Sequence, residues 1–189
     1  IDIGKCGSDS WQVPELCNLV KRYPEMKFVA CHLLAPSNKD KDRLRWALEQ
    51  LQLPNLWFDL SSVVHNCRPD EYPYPKAIEF IQLAKEMVGA EKLMFGTDFP
   101  SALKEDVYGH YVGYIADSTV FTDQEKEQIF YEKGFVRVQS GYIVNLRHVD
   151  RVRYKDVLMN NGECISISRE RLESLKQKHL EFIRHENNL

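Results

Sequence analysis

A histidine and an aspartate each follow a short apolar run, and they are the residues of this sequence best placed for chemistry. His32 comes directly after the apolar residues 28–31, and Asp98 comes three positions after residues 93–95. A carboxylate can hold a metal ion or take up a proton, and an imidazole can exchange protons near neutral pH. The spacing leaves a second interpretation open for each. Asp98 could cap a following turn, and His32 could be a hydrogen-bonded core histidine.

The elements that must position these two residues follow an alternating pattern. The strand-like runs are residues 27–31, 56–60 and 92–95, and the helical patterns cover about 40–50, 77–88 and the residues after 122. Strands separated by helices form parallel sheets, because parallel neighbours need a long connection. The carboxyl ends of such strands collect ligand and catalytic groups. The pattern therefore predicts an α/β fold in which His32 and Asp98 converge at one edge of the sheet.

Residues 1 to about 134 resemble the C-terminal half of the amidohydrolase-related (aminocarboxymuconate-semialdehyde decarboxylase-like) metal-dependent hydrolases. The stretches that carry this resemblance are residues 14–24, 28–33, 55–61 and 95–100, the last a glycine-x-aspartate-aromatic-proline element. The resemblance implies part of a (β/α)₈ TIM barrel, a small-molecule substrate and one divalent metal ion, usually zinc. It implies that Asp98 binds the metal or activates a metal-bound water, and that His32 transfers a proton. A further ligand histidine of the family falls at the position of Asp2.

Two departures from the family pattern bear on activity. The His-x-His pair of the family's first strand has no counterpart before Ile1, and Asp2 would bind a metal through oxygen rather than nitrogen. A complete barrel needs about 250 residues, so this part supplies about half of one. We therefore expect a metal-dependent hydrolase or non-oxidative decarboxylase site that is incomplete as it stands. Unpaired strand edges lead us to expect self-association as well.

Two further groups of side chains could do chemistry, but we interpret both as structural. His65 and Cys67 are soft metal ligands, but no second pair stands at a suitable spacing, so we interpret them as a loop after the second strand. Four aromatic residues share a helical spacing and are predicted to pack against the sheet: Tyr108, His110, Tyr111 and Tyr114.

Charge and hydrophobic pattern both change at Gly134. The net charge is −6 up to Gly134 and +3 from Phe135 to the end. The strand-like runs after the change are residues 135–139, 142–146, 156–159 and 164–167, followed by an amphipathic helix over about 169–185. We predict two domains, 1–134 and 135–189, the second a small β-rich unit with a C-terminal helix.

The second domain is similar to the second half of a LytTR DNA-binding domain. The similarity rests on residues 135–138, 142–145, 161–162 and 165–169. It implies that strands and their loops read DNA, with contacts from Arg137, Gln139, Ser140, Lys155 and Arg169. Arginine can bridge guanine O6 and N7, and basic side chains meet phosphates. A small sheet and a surface helix with no role in nucleic-acid binding would give the same pattern.

Composition limits the remaining possibilities. A chain of 189 residues with 43% hydrophobic and 28% charged residues is typical of a packed globular protein. Five cysteines without a C-x-x-C pair indicate a reducing compartment, and no apolar run approaches a membrane span. We expect a cytoplasmic protein without membrane association. By coverage the enzyme-like interpretation ranks first, the alternative is a DNA-binding transcriptional regulator module, and the third possibility is an inactive scaffold.

Overall fold

The computed structural model describes residues 1–4, 11–36, 40–98, 100–131, 134–139 and 142–186. The chain divides into two compact units, Ile1–Ile129 and Phe130–Leu189. Ser140, one of the predicted DNA contacts, lies outside the described residues. No helix within the described ranges is long and apolar enough to cross a lipid bilayer.

The first unit contains a parallel sheet with helices between its strands. Its helices are α1 (Gln12–Arg22), α2 (Lys41–Gln50), α3 (Val63–Asn66), α4 (Pro75–Val88) and α5 (Tyr108–Ala116), and α6 (Asp123–Tyr131) crosses the division between the units. Its strands are β1 (Phe28–Ala30), β2 (Leu56–Asp59) and β3 (Leu93–Met94). The order is β1-β2-β3, and both pairs are parallel. The predicted α/β class is confirmed, whereas the partial TIM-barrel architecture stays a prediction.

Burial of apolar side chains from the sheet and the helices holds this unit together. Phe58 on β2 and Phe80 on α4 are each 1% exposed, and Leu44 on α2 is fully buried. Complete burial of one such side chain contributes about 1.5–3 kcal/mol. Helix starts are fixed locally, since the Asp40 carboxylate accepts the N–H of Arg43 at 3.0 Å at the start of α2.

The segment after β2 differs from its prediction. Residues His65 and Cys67 were expected in a loop, but Val63–Asn66 forms the short helix α3. Val63, Val64 and Cys67 are buried, and this i, i+1, i+4 spacing turns three apolar side chains to the same side of one helical turn. The pattern is too short to stand out in the sequence.

The second unit consists of antiparallel strands followed by a helix. Its elements are β4 (Phe135–Gln139), β5 (Tyr142–Asn145), β6 (Val149–Val152), β7 (Asp156–Met159), β8 (Cys164–Ser166) and α7 (Leu172–Glu186). β4 pairs with β5, and β6, β7 and β8 form a three-stranded sheet in that order. The sequence did not predict β6, because Asp150 and Arg151 interrupt the alternation of polar and apolar residues and the register shifts there.

A single apolar cluster forms the core of this unit. Its fully or nearly fully buried members are Val136, Val138, Val144, Leu146, Val157 and Leu175. Gly134 precedes the first strand at φ +75°, a left-handed conformation that glycine adopts at low cost. A Cβ atom there would lie 3.1 Å from the ring of Phe182, so close packing also favours glycine.

Candidate functional site

His32 lies just beyond β1, as its position in the sequence predicts. The chain leaves the strand after Ala30 and enters a short 3₁₀ turn, in which His32 adopts φ +57°. The backbone N–H of His32 donates to Oδ1 of Asp59, the last residue of β2, at 3.2 Å. The end of β1 is therefore tied to the end of the neighbouring strand.

The ring of His32 is oriented by Ser61, two residues after β2. Nδ1 of His32 lies 2.8 Å from Oγ of Ser61, and the hydroxyl of Ser61 donates to the Asp59 carboxylate. The proton of Ser61 is thus committed to Asp59, so Ser61 Oγ can only accept from the ring. We assign the Nδ1–H tautomer to His32 on this basis, which leaves Nε2 with a free lone pair.

Asp98 follows β3 and is held by the serine next to Ser61. The hydroxyl of Ser62 donates to Oδ2 of Asp98 at 2.6 Å, a length typical of a charge-assisted hydrogen bond. Ser62 and Asp98 adopt φ +55° and +59°. Residues other than glycine in this region cost about 1–3 kcal/mol each, and such positions cluster at functional sites. Left-handed backbone at this edge comprises Ser62, Asp98 and the run from His32 to Ala35, in which Leu33 and Leu34 are fully buried.

The structure brings His32 and Asp98 to the same carboxyl edge, linked through two consecutive serines. Asp98 lines an open cavity of about 250 Å³, and His32 does not. Other side chains that line the cavity are Ser62, His65, Ser101, Lys104, Glu105 and Tyr111. The cavity wall therefore combines hydroxyl groups with groups of both charges, as a pocket for a small polar molecule does.

His65 is a cavity residue that the sequence interpretation missed. Its Nδ1 atom lies 2.9 Å from Oε1 of Glu105 and 2.9 Å from Nη2 of Arg68. Burial of the ring and the positive charge of Arg68 lower the pKa of His65, while Asp98 acts in the opposite direction. The neutral ring that results can accept a proton. Its position soon after the second strand was the available signal.

The donor atoms at this edge do not make up a complete metal site. Within the described part of the chain, no three His, Cys, Asp or Glu side chains come close enough to hold a metal ion. Asp2 follows Ile1, whose amine and carbonyl bond to Val29 and Cys31 on either side of Ala30, and its side chain is exposed. Burial raises the pKa of Cys67 to about 12, so that thiol stays protonated at neutral pH.

The aromatic residues of α5 divide between core and surface. Tyr111 and Tyr114 are 7% and 3% exposed, as the prediction of packing requires, whereas Tyr108 is 38% exposed. The ring of His110 stacks on Tyr72 with 4.2 Å between centroids, and its Nδ1 lies 2.8 Å from Asp106. These contacts give the α5 residues a packing role beside the cavity.

In the second unit, strand pairing brings several predicted DNA contacts together. The N–H of Ser168 donates to the carbonyl of Val138 at 3.0 Å, so Arg169 and Gln139 follow two hydrogen-bonded residues. The N–H of Ile167 donates to the carbonyl of Lys155 at 2.9 Å. The side chains of Arg169 and Lys155 are exposed. Arg137 lies two residues before Gln139 and therefore on the same face of β4.

Two family models match the chain. The model described as amidohydrolase matches residues 4–132, and the model of the LytTr DNA-binding domain matches residues 118–179. Both resemblances inferred from the sequence are confirmed. The second match begins before Phe135, and the predicted boundary at Gly134/Phe135 itself stays a prediction. No curated protein sequence matches the chain.

Solved structures share the fold of the first unit. Two crystal structures of an amidohydrolase (cog3618) from Burkholderia multivorans, one with bound HEPES and one with bound Zn, align with TM-scores of 0.54 and 0.53 at 21% and 22% identity. Each alignment covers 63% of this chain and 46% of the solved one. Amidohydrolase 2 from Bifidobacterium longum subsp. infantis aligns with a TM-score of 0.50 at 15% identity, over 69% of this chain and 44% of its own.

The similarity to these solved structures is limited in identity and in length. At such identities they establish the fold alone, and the aligned part spans a little under half the length of the solved chains. The amidohydrolase model, by contrast, covers well over half of this chain. The chain belongs to the amidohydrolase family and carries, in its last third, a match to the LytTr DNA-binding domain.

Proposed function

We propose that the first unit carries the proton-transfer half of a hydrolase or decarboxylase site for a small polar substrate. The observation that supports this most directly is the link from His32 through Ser61 and Ser62 to Asp98 at one sheet edge. In hydrolysis, Asp98 would take the proton of the attacking water through Oδ1, the oxygen that Ser62 does not hold. His32 does not line the cavity, so it would exchange a proton through Nε2 with the part of the substrate or leaving group that extends from the cavity along the sheet edge.

His65 has a supporting role in this proposal. It lines the same cavity as Asp98, and its lowered pKa keeps the ring neutral near pH 7. A substrate in the cavity would meet a carboxylate, a neutral imidazole and the hydroxyl groups of Ser62 and Tyr111. Asp59 touches no substrate in this account; it positions His32 through Ser61.

The residues at this edge can be compared with the ligands that a divalent metal ion needs. One solved amidohydrolase holds Zn, and a bound divalent ion supplies Lewis-acid activation of water or a carbonyl. Catalytic zinc sites use three protein ligands. Among the described residues, no three His, Cys, Asp or Glu side chains lie close enough together to hold a metal ion, so the three ligands of a catalytic zinc site are not brought together here. The roles above are therefore derived as proton transfers by these side chains alone.

A panel of substrate classes tests the proposal. Lactones, aryl esters and aromatic carboxylic acids would be offered to the purified chain with and without added ZnCl₂, and release of acid or carbon dioxide would be followed. We expect turnover of one class that Asp98→Asn and His32→Gln each lower about 100-fold. Asp42→Asn, an exposed change on α2, serves as the control and should keep full activity. Turnover that Asp98→Asn leaves unchanged would refute the assigned role, and no turnover in the panel would refute the activity.

We also propose that the second unit binds double-stranded DNA. Its support is the match to the LytTr DNA-binding domain together with the backbone bonds that place Gln139, Lys155 and Arg169 beside one another. Arg169 would read a guanine through paired hydrogen bonds, and Lys155 would meet a phosphate. Ser140 remains a proposed contact by its position between β4 and β5.

Binding to labelled duplexes tests this second function. A pool of random-sequence 25-base-pair duplexes would be taken through rounds of selection, and affinity would be measured by fluorescence anisotropy at several salt concentrations. We expect Arg169→Ala to weaken binding to the selected duplex by about 1–3 kcal/mol and Lys155→Ala to lower the salt slope by about 1. Lys176→Ala, on α7 where Lys176 pairs with Glu173, is the matched control and should change neither. Equal affinity for selected and unselected duplexes would refute sequence recognition.

A further inference from the structure

Two tyrosines of the second unit are strongly exposed next to the proposed DNA contacts. Tyr154 is 72% exposed and Tyr142 is 53% exposed. Tyr142 stands directly opposite Gln139 in the register of β4 and β5. Tyr154 precedes Lys155 in the turn between β6 and β7. Single exposed aromatic residues are common on protein surfaces, but tyrosine and cationic side chains together are the types that contact the sugar and phosphate of DNA.

The backbone bonds fix the order of segments between the two tyrosines. Tyr142 pairs with Gln139 on β4, the neighbouring Val138 carbonyl accepts from Ser168, and Ile167 donates to Lys155, the residue after Tyr154. Three backbone-paired steps therefore separate Tyr142 from Tyr154 along this path, and a step between paired segments is about 4.8 Å. Gln139 and Arg169 lie between them. The major groove of B-DNA is about 12 Å wide.

The DNA-binding edge is the surface that carries Tyr142, Gln139, Arg169, Lys155 and Tyr154. We propose that Tyr142 and Tyr154 are its two outer contacts with DNA. Each tyrosine packs against one of the two sugar–phosphate backbones that border the groove, and Gln139 and Arg169 read the bases in that groove. This inference rests on the proposed DNA-binding function. Each ring would cover deoxyribose with its face and offer its hydroxyl to a phosphate.

The charges around the tyrosines favour a polyanion as the occupant. Lys155 and Arg169 are exposed cations on this edge. The nearby carboxylate of Asp156 lies 3.0 Å from Nε of Arg153, which offsets its charge. Glu170 is the acidic neighbour that remains exposed next to Arg169. A duplex backbone therefore meets more positive than negative charge here.

Alanine and phenylalanine variants test the inference on one defined probe. The probe is a fluorescein-labelled random-sequence 25-base-pair duplex, measured by anisotropy against the wild-type chain at several salt concentrations. We expect Tyr154→Ala and Tyr142→Ala each to raise Kd about threefold or more, because each change removes one aromatic contact with the DNA backbone. The salt slope should stay as in the wild type, because no charge is lost. Tyr154→Phe should bind the duplex nearly as tightly as the wild type, because phenylalanine keeps the aromatic ring.

The controls separate this inference from the function on which it rests. Tyr23→Ala removes a tyrosine of the first unit that is 44% exposed, and it should bind the duplex like the wild type. Melting curves would show that each variant is folded. If both alanine variants bind the duplex with the Kd of the wild type, the tyrosine contacts are overturned and the DNA-binding function stands. No binding of the duplex by the wild type would overturn the DNA-binding function and the contacts together.

Discussion

The Nδ1 atom of His32 lies 2.8 Å from the Oγ atom of Ser61. Since the hydroxyl of Ser61 donates to Asp59, this contact determines which ring nitrogen of His32 carries the proton. The neighbouring residue, Ser62, holds Asp98 by donating its hydroxyl to Oδ2 at 2.6 Å. Two adjacent serines at the end of β2 thus set the geometry of the residues that follow β1 and β3.

Removal of the Ser61 hydroxyl should weaken the preference of His32 for one tautomer. In the wild type we expect the Nδ1–H form; in Ser61→Ala the backbone carbonyl of residue 61, 3.3 Å from Nδ1, still accepts from the ring, so we expect that form to persist beside a minor Nε2–H population. Loss of the hydrogen bond should also lower the free energy of unfolding by about 1 kcal/mol. Nitrogen-15 shifts of the His32 ring at pH 8 measure the tautomer. An Nε2–H ring in the wild type would contradict the assignment.

The ionisation of His65 should depend on Arg68. The pKa of His65 lies below its ordinary value of 6.5 because of burial first and the Arg68 charge second. Between the folded and unfolded pKa values the unfolded chain binds more protons, so this group makes stability fall as pH drops through that window. Arg68→Leu should raise the pKa of His65 and flatten this dependence. Proton NMR titration of the ring checks it, with Arg45→Leu as an exposed control. A pKa that stays the same without Arg68 would contradict the account.

The start of α6 should lose stability when its capping residue is removed. The backbone N–H of Thr122 donates to Glu125 Oε2 at 2.7 Å, and the N–H of Glu125 donates to Thr122 Oγ1 at 3.2 Å. Thr122→Ala should lower the free energy of unfolding in urea by about 1 kcal/mol. Thr119→Ala, three residues earlier and exposed, should leave it unchanged. Equal midpoints for the two variants would speak against the reciprocal cap.

Gly134 should resist replacement because of its backbone conformation. At φ +75° an alanine costs about 1–2 kcal/mol, and its Cβ would also crowd the ring of Phe182. Gly134→Ala should therefore lower the melting temperature of the second unit. Gly109→Ala, within α5 and with open space around the added methyl group, should be neutral or stabilising. A Gly134→Ala protein as stable as the wild type would contradict the described packing.

The sequence correctly predicted those helices and strands that have clear local signals, such as a helix-capping residue or an alternation of apolar and polar residues. The start of α6 after Thr122, the helix that begins near residue 40 and the strand 156–159 lie as predicted. These signals are local, since they depend on hydrogen bonds and alternation within a few residues. The placement of His32 and Asp98 at one sheet edge also followed, because the ends of parallel strands meet there by geometry.

The serines, Asp59 and His65 could not be predicted as site residues. Ser61 and Ser62 are ordinary loop residues in sequence, and their role depends on left-handed or tightly turned backbone that only the folded sheet imposes. His65 reaches the cavity because three buried apolar residues form one helical turn. One helical turn is too short for its hydrophobic periodicity to be recognised in the sequence.

The central claim is that His32 and Asp98 act in the same chemical step. A double-mutant cycle on the substrate class that the chain turns over tests it most directly, with kcat measured for the wild type, His32→Gln, Asp98→Asn and the double variant. The account predicts that each single change lowers kcat about 100-fold and that the double variant is about as slow as the slower single variant. Losses that multiply in the double variant, to about 10⁴-fold, would mean that the two residues act independently and would contradict it.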